Sequence, residues 1–257
     1  MYAFDIIIKN TNPKYKSWVD DCSSYVHFLE RTGQVSQREH MIILRGDTIR
    51  IPVFCPELNS LSSKYCSPYN LKIMSNIEKN GCIIEHVQTG VDADNTDKDI
   101  ARNPSFYILR AGWSSPLLCG DSHTPIPLYK IPPTDHSGDD YDNIVFWHKD
   151  YERIYGLWIN SVYERFAEGE LQNPYSKINT TGREICGLIE KLTGVPTYYF
   201  LLNYRDITVE EDAQRKCPIT GNDWRIAGKT SDDIIAFKCE ESRLVSELSA
   251  NSGGGQQ

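Results

Sequence analysis

The sequence predicts an α+β protein. An N-terminal ferredoxin-like βαββαβ unit comes first, followed by an α/β segment that ends in a degenerate zinc-ribbon-like β element. Three observations carry this expectation. Alternating apolar runs and amphipathic stretches in the first ninety residues follow the order strand, helix, strand, strand, helix, strand. Two further stretches of helical periodicity occupy the middle of the chain. Two half-intact C-x-x-C pairs near the C-terminus stand at ribbon spacing.

Residues 2–9 read as the first strand. A helix is expected from Tyr15 to Thr32, because Trp18, Cys22, Val26 and Leu29 recur on one face and Gly33 stops it. Strands His40–Arg45 and Thr48–Cys55 follow around Gly46-Asp47, with Ile49, Ile51 and Val53 alternating as a half-buried strand requires. Ser67-Pro68 opens a second helix that contains Met74 and Ile77 and closes at Gly81. The strand Cys82–Val87 completes this unit, placed at residues 1–90.

The polar stretch from Gly90 to Pro104 reads as a linker. Asp92, Asp94, Asp97 and Asp99 do not make a calcium loop, since Asp97 stands where an EF-hand needs Gly and Asn103 where it needs Glu. A second segment, 104–205, starts with the strand Phe106–Arg110 and contains an acidic loop with Asp135, Asp139, Asp140 and Asp142. Trp147, Tyr151, Ile154 and Trp158 then form a helical aromatic stripe, which is read as core. A helix from Thr181 to Thr193 and a strand from Pro196 to Leu202 follow. The ribbon-like element is placed at 206–248, and 249–257 is a Gly-rich disordered tail.

The ribbon carries the most specific signal. Cys217-Pro218-Ile219-Thr220-Gly221 is a C-P-x-C-G knuckle with Thr220 at the second thiol, and Cys239-Glu240-Glu241-Ser242 is a C-x-x-C pair with Ser242 there. Cys119-Gly120-Asp121-Ser122 repeats the pattern. Neutral hydroxyls are poor zinc ligands, and a closed structural site needs four good ones. A residual site assembled from Cys119, His123, Cys217 and Cys239 would supply a Cys3His set if the Cys119 loop approached the ribbon.

At these residues, and at Ser115–Asp121, Pro125–Tyr129, Gly182–Cys186, Thr193–Phe200, Arg215–Pro218, Phe237–Cys239 and Arg243–Ser246, the chain resembles a bacterial family of unknown function. That family is described as zinc-ribbon-containing and a candidate nucleic-acid binder. The resemblance spans residues 106–248 and implies a ribbon fold. The family pattern has cysteines where this chain has Ser122, Thr220 and Ser242.

Composition bounds the function. The chain has 257 residues, eight cysteines and a net charge of −8, with no apolar run long enough to span a membrane and no basic leader at Met1. A cytoplasmic location with reduced thiols is expected. Between Cys217 and Gln257, four cations (Arg225, Lys229, Lys238, Arg243) face six carboxylates, which disfavours a phosphate backbone. Walker, nucleophile-elbow, dinucleotide and HExxH motifs are all missing, so no catalytic residue is assigned. His148/Glu152 and Cys186 are read as a polar pair and a packing thiol.

The expected function is therefore non-enzymatic: an immunity protein that neutralises a cognate toxin, or another basic protein, by direct contact. Its acidic loops at Asp92–Asp99 and Asp135–Asp142 would form the partner surface. The alternative is nucleic-acid binding through the ribbon, with Arg215, Lys216, Arg225, Lys238 and Arg243 on one face and Trp224 stacking on bases.

Overall fold

The structure is a computed structural model that describes residues 1–36, 40–91, 103–112, 115–205 and 207–249. It is a mixed α+β protein with two sheets. Its contacts divide it into one unit of Met1–Asp99 with Ile126–Asp142, and a second of Ile100–Pro125 with Asn143–Gln257.

In the first unit the order is β1 (Tyr2–Asn10), α1 (Trp18–Arg31), β2 (Ile43–Arg45), β3 (Thr48–Cys55), α2 (Pro68–Lys79) and β4 (Cys82–Val91). The sheet runs β2-β3-β1-β4, with every pair antiparallel. Strand periodicity sets the buried face: Phe4, Ile6 and Ile8 on β1 meet Ile49, Ile51, Val53 and Cys55 on β3. Cys22, Tyr25, Val26 and Leu29 on α1 and Ile77 on α2 complete that core. The Ser67 hydroxyl accepts the Asn70 N–H at 3.3 Å, and Pro68 takes the first helical position, so α2 begins where its sequence signals it. β2 is shorter than the His40–Arg45 expectation, and all three of its residues are exposed.

The chain returns to this unit at 126–142, outside the expected boundary at residue 90. Tyr129 holds the return: its ring stacks on Tyr65 at 4.2 Å and its hydroxyl donates to Glu57 at 2.8 Å. Lys130 pairs with Glu57 at 2.7 Å. Gly33 has φ +73°, and a Cβ there would sit 2.9 Å from the Leu128 nitrogen. Ile126, Leu128 and Ile131 are buried beside these polar and aromatic contacts, but the apolar run is too short to show a period, so no pattern in the sequence announces it.

The second unit contains β5 (Tyr107–Leu109), β6 (Leu117–Cys119), α3 (Asp142–Ile159, from its second residue), α4 (Glu164–Gln172), α5 (Lys177–Thr193), β7 (Thr197–Phe200), α6 (Val209–Asp212), β8 (Phe237–Cys239) and β9 (Leu244–Ser246). Its sheet runs β6-β5-β7-β9-β8. β7 is parallel to both β5 and β9, and the outer pairs are antiparallel. The expected boundary at 205/206 falls inside this sheet, because β8 and β9 pair into the ladder that β5 and β7 begin.

Its core includes Ile108, Leu118, Tyr198, Phe200, Ile235 and Val245. α5 lies so close to β7 that a Cβ at Gly182 would stand 2.1 Å from the Tyr199 ring. The Tyr199 hydroxyl donates to Asn179 at 2.6 Å, while the Asn179 amide donates to the carbonyls of Glu170, Leu171 and Asn173. One buried amide thus fastens the end of α4 to α5 and β7.

Candidate functional site

Cys119, Cys217 and Cys239 open three turns of one design. The Cys119 and Cys217 N–H groups donate to the carbonyls five residues on, Thr124 and Asn222, each at 2.9 Å. His123 and Gly221, four residues on, donate back to the cysteine carbonyls at 2.8 Å. Cys239 is likewise paired with Leu244, five residues on, across β8 and β9. The residue at the fourth position is left-handed in each turn: His123 (φ 56°), Gly221 (φ 72°) and Arg243 (φ 52°). Such a backbone costs a residue bearing Cβ about 1–2 kcal/mol, so the turn is imposed by its surroundings.

Two of these turns face each other. The Cys217 Sγ lies 3.3 Å from the Ser242 Oγ, and the Cys239 Sγ lies 3.6 Å from the Thr220 Oγ1. Each remaining thiol is thus matched with the hydroxyl that replaces a thiol on the opposite turn. Burial alone would raise the Cys217 thiol, but hydrogen bonding to Ser242, Thr220 and nearby backbone N–H groups holds it below the ordinary thiol value. As a zinc site the set does not fit, since it offers two thiols and two hydroxyls already engaged with them.

The wider ligand set is divided. Cys119 ends β6 and Cys239 ends β8, at opposite edges of the five-stranded sheet. Four strand spacings amount to roughly 19 Å. His123 belongs to the Cys119 turn. The structure therefore brings Cys217 and Cys239 together and leaves Cys119 and His123 apart. Among the described residues no three His, Cys, Asp or Glu side chains converge as metal ligands would.

The ribbon's cations are engaged internally. Arg215 donates to Asp212 at 2.9 Å and lies over the Trp224 and Phe237 rings. Arg225 donates to the carbonyls of Ile226 and Ala236 at 2.9 and 2.8 Å. Arg243 pairs with Glu190 at 2.9 Å and Glu240 at 3.2 Å; Lys238 also pairs with Glu240, at 3.0 Å, and Lys216 pairs with Asp223. Trp224 is 3% exposed, and its indole N–H donates to the Arg215 carbonyl at 2.9 Å.

The acidic loop before α3 also turns inward. Asp140 is fully buried beside Arg31 at 3.2 Å, and Asp142 pairs with the same guanidinium. Asp135 accepts the N–H groups of Asp139 and Asp140 at 3.0 and 3.1 Å and so shapes the loop, in which Asp139 is half-buried. Asp140 and Asp142 thus move from the expected partner surface into the packing of their unit, because a buried guanidinium needs their charge. Asp92, Asp94, Asp97 and Asp99 lie outside the described residues.

Cys186 and His148 are both buried. Cys186 is buried on α5, and burial pushes its thiol up. His148 is 2% exposed and lies 3.3 Å from Glu152; burial, with Lys149 adding, lowers its imidazole to about 4.

Sequence reasoning did not find a pocket of about 370 Å³ in the second unit. Tyr151, Tyr155 and Trp158 of α3 line it, together with Phe200 and Tyr204. Trp158 meets Tyr155 at 5.4 Å with planes 58° apart, and Tyr204 at 4.7 Å with planes 74° apart. Arg110 covers Phe200 at 3.9 Å and pairs with Glu247 at 3.5 Å. Burial raises the Glu247 carboxyl, which Arg110 opposes. The signal in the sequence was the far end of the aromatic stripe: Trp147 and Tyr151 are core, but Trp158 is only half-buried.

A family model for a domain of unknown function (DUF2310) matches residues 101–202, and one for a second domain of unknown function (DUF8594) matches 207–252. An uncharacterized protein of Haemophilus influenzae is 30% identical over 230 residues, which cover 85% of this chain and 86% of that protein. A second uncharacterized protein of the same organism is 32% identical over 183 residues, covering 68% of this chain and 88% of its own length. No solved structure matches the chain. Among the described residues no helix is long and apolar enough to cross a membrane. The chain belongs to the family of these two Haemophilus influenzae proteins, and within it the DUF2310 and DUF8594 regions adjoin.

Proposed function

We propose that this chain is a non-enzymatic cytoplasmic binding protein that neutralises a basic protein partner, as an immunity protein neutralises its toxin. The observation that carries the reading is the internal engagement of the ribbon's cations. Arg215, Lys216, Arg225, Lys238 and Arg243 each meet a carboxylate or carbonyl of their own unit, and Trp224 is buried. Phosphate binding needs cations free to face outward; Arg215 is nearly buried, and the more exposed Lys216 and Arg243 are already paired with carboxylates, which favours protein contact over nucleic acid.

Three further observations support it. The net charge of −8 complements a basic partner and would speed encounter with it. The turn between α3 and α4 exposes Ile159, Val162, Tyr163 and Phe166, an apolar group suited to the centre of an interface. Eight free cysteines suit a reducing compartment.

The scaffold reading rests on the same geometry. The order βαββαβ with sheet β2-β3-β1-β4 supports a ferredoxin-like first unit. The paired turns at Cys217 and Cys239 support a ribbon closed by hydrogen bonds in place of metal.

The test is affinity capture with the full chain, followed by calorimetry on any purified partner. A basic protein bound stoichiometrically, with affinity falling as salt rises, and lost in the Tyr163→Asp, Phe166→Asp double variant, is the expected result. Salt-dependent binding of RNA or DNA oligonucleotides with no protein partner would overturn it.

A further inference from the structure

We propose that the pocket beside Trp158 is a binding site for a quaternary ammonium group. Trp158 is inclined to Tyr155 at 58° and to Tyr204 at 74°, so the three rings that line the cavity do not form a stack. Each ring carries a negative face, and several faces meeting at an angle attract an organic cation more strongly than a neutral group of the same shape.

The charges agree with the rings. Two acidic side chains, Glu152 and Glu247, and one guanidinium, Arg110, line the cavity; burial raises both carboxyls, and a bound cation would favour their ionised forms. The guanidinium is already paired with Glu247 and laid against Phe200, so it does not offer an anion an open charge. His148, which contacts Glu152, is neutral at pH 7 because burial lowers its imidazole to about 4.

Size and access fit as well. The cavity of about 370 Å³ lies within the range of small-ligand sites. Tyr155 and Tyr204 remain 39% and 46% exposed, so the walls are reachable from solvent. The Tyr204 backbone N–H donates to the Gln172 side-chain oxygen at 2.8 Å. A trimethylammonium head presents no N–H donor, so it suits a site walled by ring faces with the carboxylates set around them.

Calorimetric titration of the full chain tests this with choline, a peptide carrying Nε-trimethyllysine, and 3,3-dimethylbutan-1-ol, the neutral isostere of choline. The expected result is saturable binding of at least one cation, with the isostere about tenfold weaker, as cation–π attraction of about 1–2 kcal/mol implies. Whether choline or the peptide binds better identifies a free or a protein-borne source. Trp158→Ala and the more exposed Tyr204→Ala should each abolish binding, while Tyr204→Phe keeps it. Equal binding of the isostere, insensitivity to Tyr204→Ala in a folded variant, or no binding by either cation would overturn the proposal.

Discussion

The Cys217 thiol lies 3.3 Å from the Ser242 hydroxyl, across two turns that are each built as a metal knuckle is built. With Cys239 and Thr220 at 3.6 Å, this contact closes the ribbon through weak thiol–hydroxyl hydrogen bonds. The element holds without a full ligand set because β8 and β9 are strands of a larger sheet, and Phe237, Leu244 and Val245 are fully buried in its packing. A free-standing zinc module would instead rely on the metal for about 10–16 kcal/mol of folding energy.

Restoring the missing thiols should restore a metal site. The Thr220→Cys, Ser242→Cys double variant is expected to bind one zinc per chain and to gain a melting temperature that falls on adding a chelator. The unmodified chain should melt at the same temperature with and without chelator. Differential scanning calorimetry with and without EDTA checks both.

Gly182 is fixed by packing. An added methyl would meet the Tyr199 ring at 2.1 Å, with the Trp147 indole nitrogen at 2.9 Å. Gly182→Ala should therefore destabilise the protein by about 1–3 kcal/mol, the usual cost of overpacking. Urea unfolding measures it, and an unchanged midpoint would show that α5 can move off β7.

Asp212 is the charge that allows Arg215 to be buried. It is fully buried and accepts from Arg215 at 2.9 Å, from the Asn203 amide at 2.7 Å and from the Ser249 N–H at 2.8 Å. Asp212→Ala leaves a buried guanidinium without its counter-charge and should cost about 3–5 kcal/mol. A loss below about 1 kcal/mol, typical of an exposed pair, would contradict this account.

His148 makes stability depend on pH. Its imidazole is lowered from 6.5 to about 4 by burial, so the unfolded chain takes up a proton before the folded chain does. Its contribution is complete above pH 6.5 and is lost as pH falls toward 4, a span worth about 3 kcal/mol. His148→Gln should flatten the decline in melting temperature between these values. A parallel decline in both proteins would place the pH sensitivity elsewhere.

Much of the first unit was legible because its signals are local. Alternation on β1 and β3, the Ser67-Pro68 start and the glycine stops each fix one element within a few residues. The return of 126–142 was not legible, since Tyr129 and Asp140 act through side-chain contacts with distant residues that no periodicity reports. The short helix α4 escaped notice for a related reason: only Ala167 and Leu171 of its nine residues are buried. The C-x-x-C spacing in the sequence pairs the Cys217 and Cys239 turns, which face each other in the structure. It could not place Cys119, because sheet order decides that distance. The aromatic pocket was hidden because Arg110, Tyr204 and Glu247 come from three distant stretches, and only Tyr151 and Trp158 of its lining belong to the helical stripe.

The zinc-to-protein ratio of the unmodified chain, measured by mass spectrometry after expression in zinc-supplemented medium, decides whether metal or hydrogen bonds close the ribbon. A hydrogen-bonded ribbon predicts a ratio well below one that falls further on dialysis. One zinc per chain, retained through dialysis against a chelator, would contradict it.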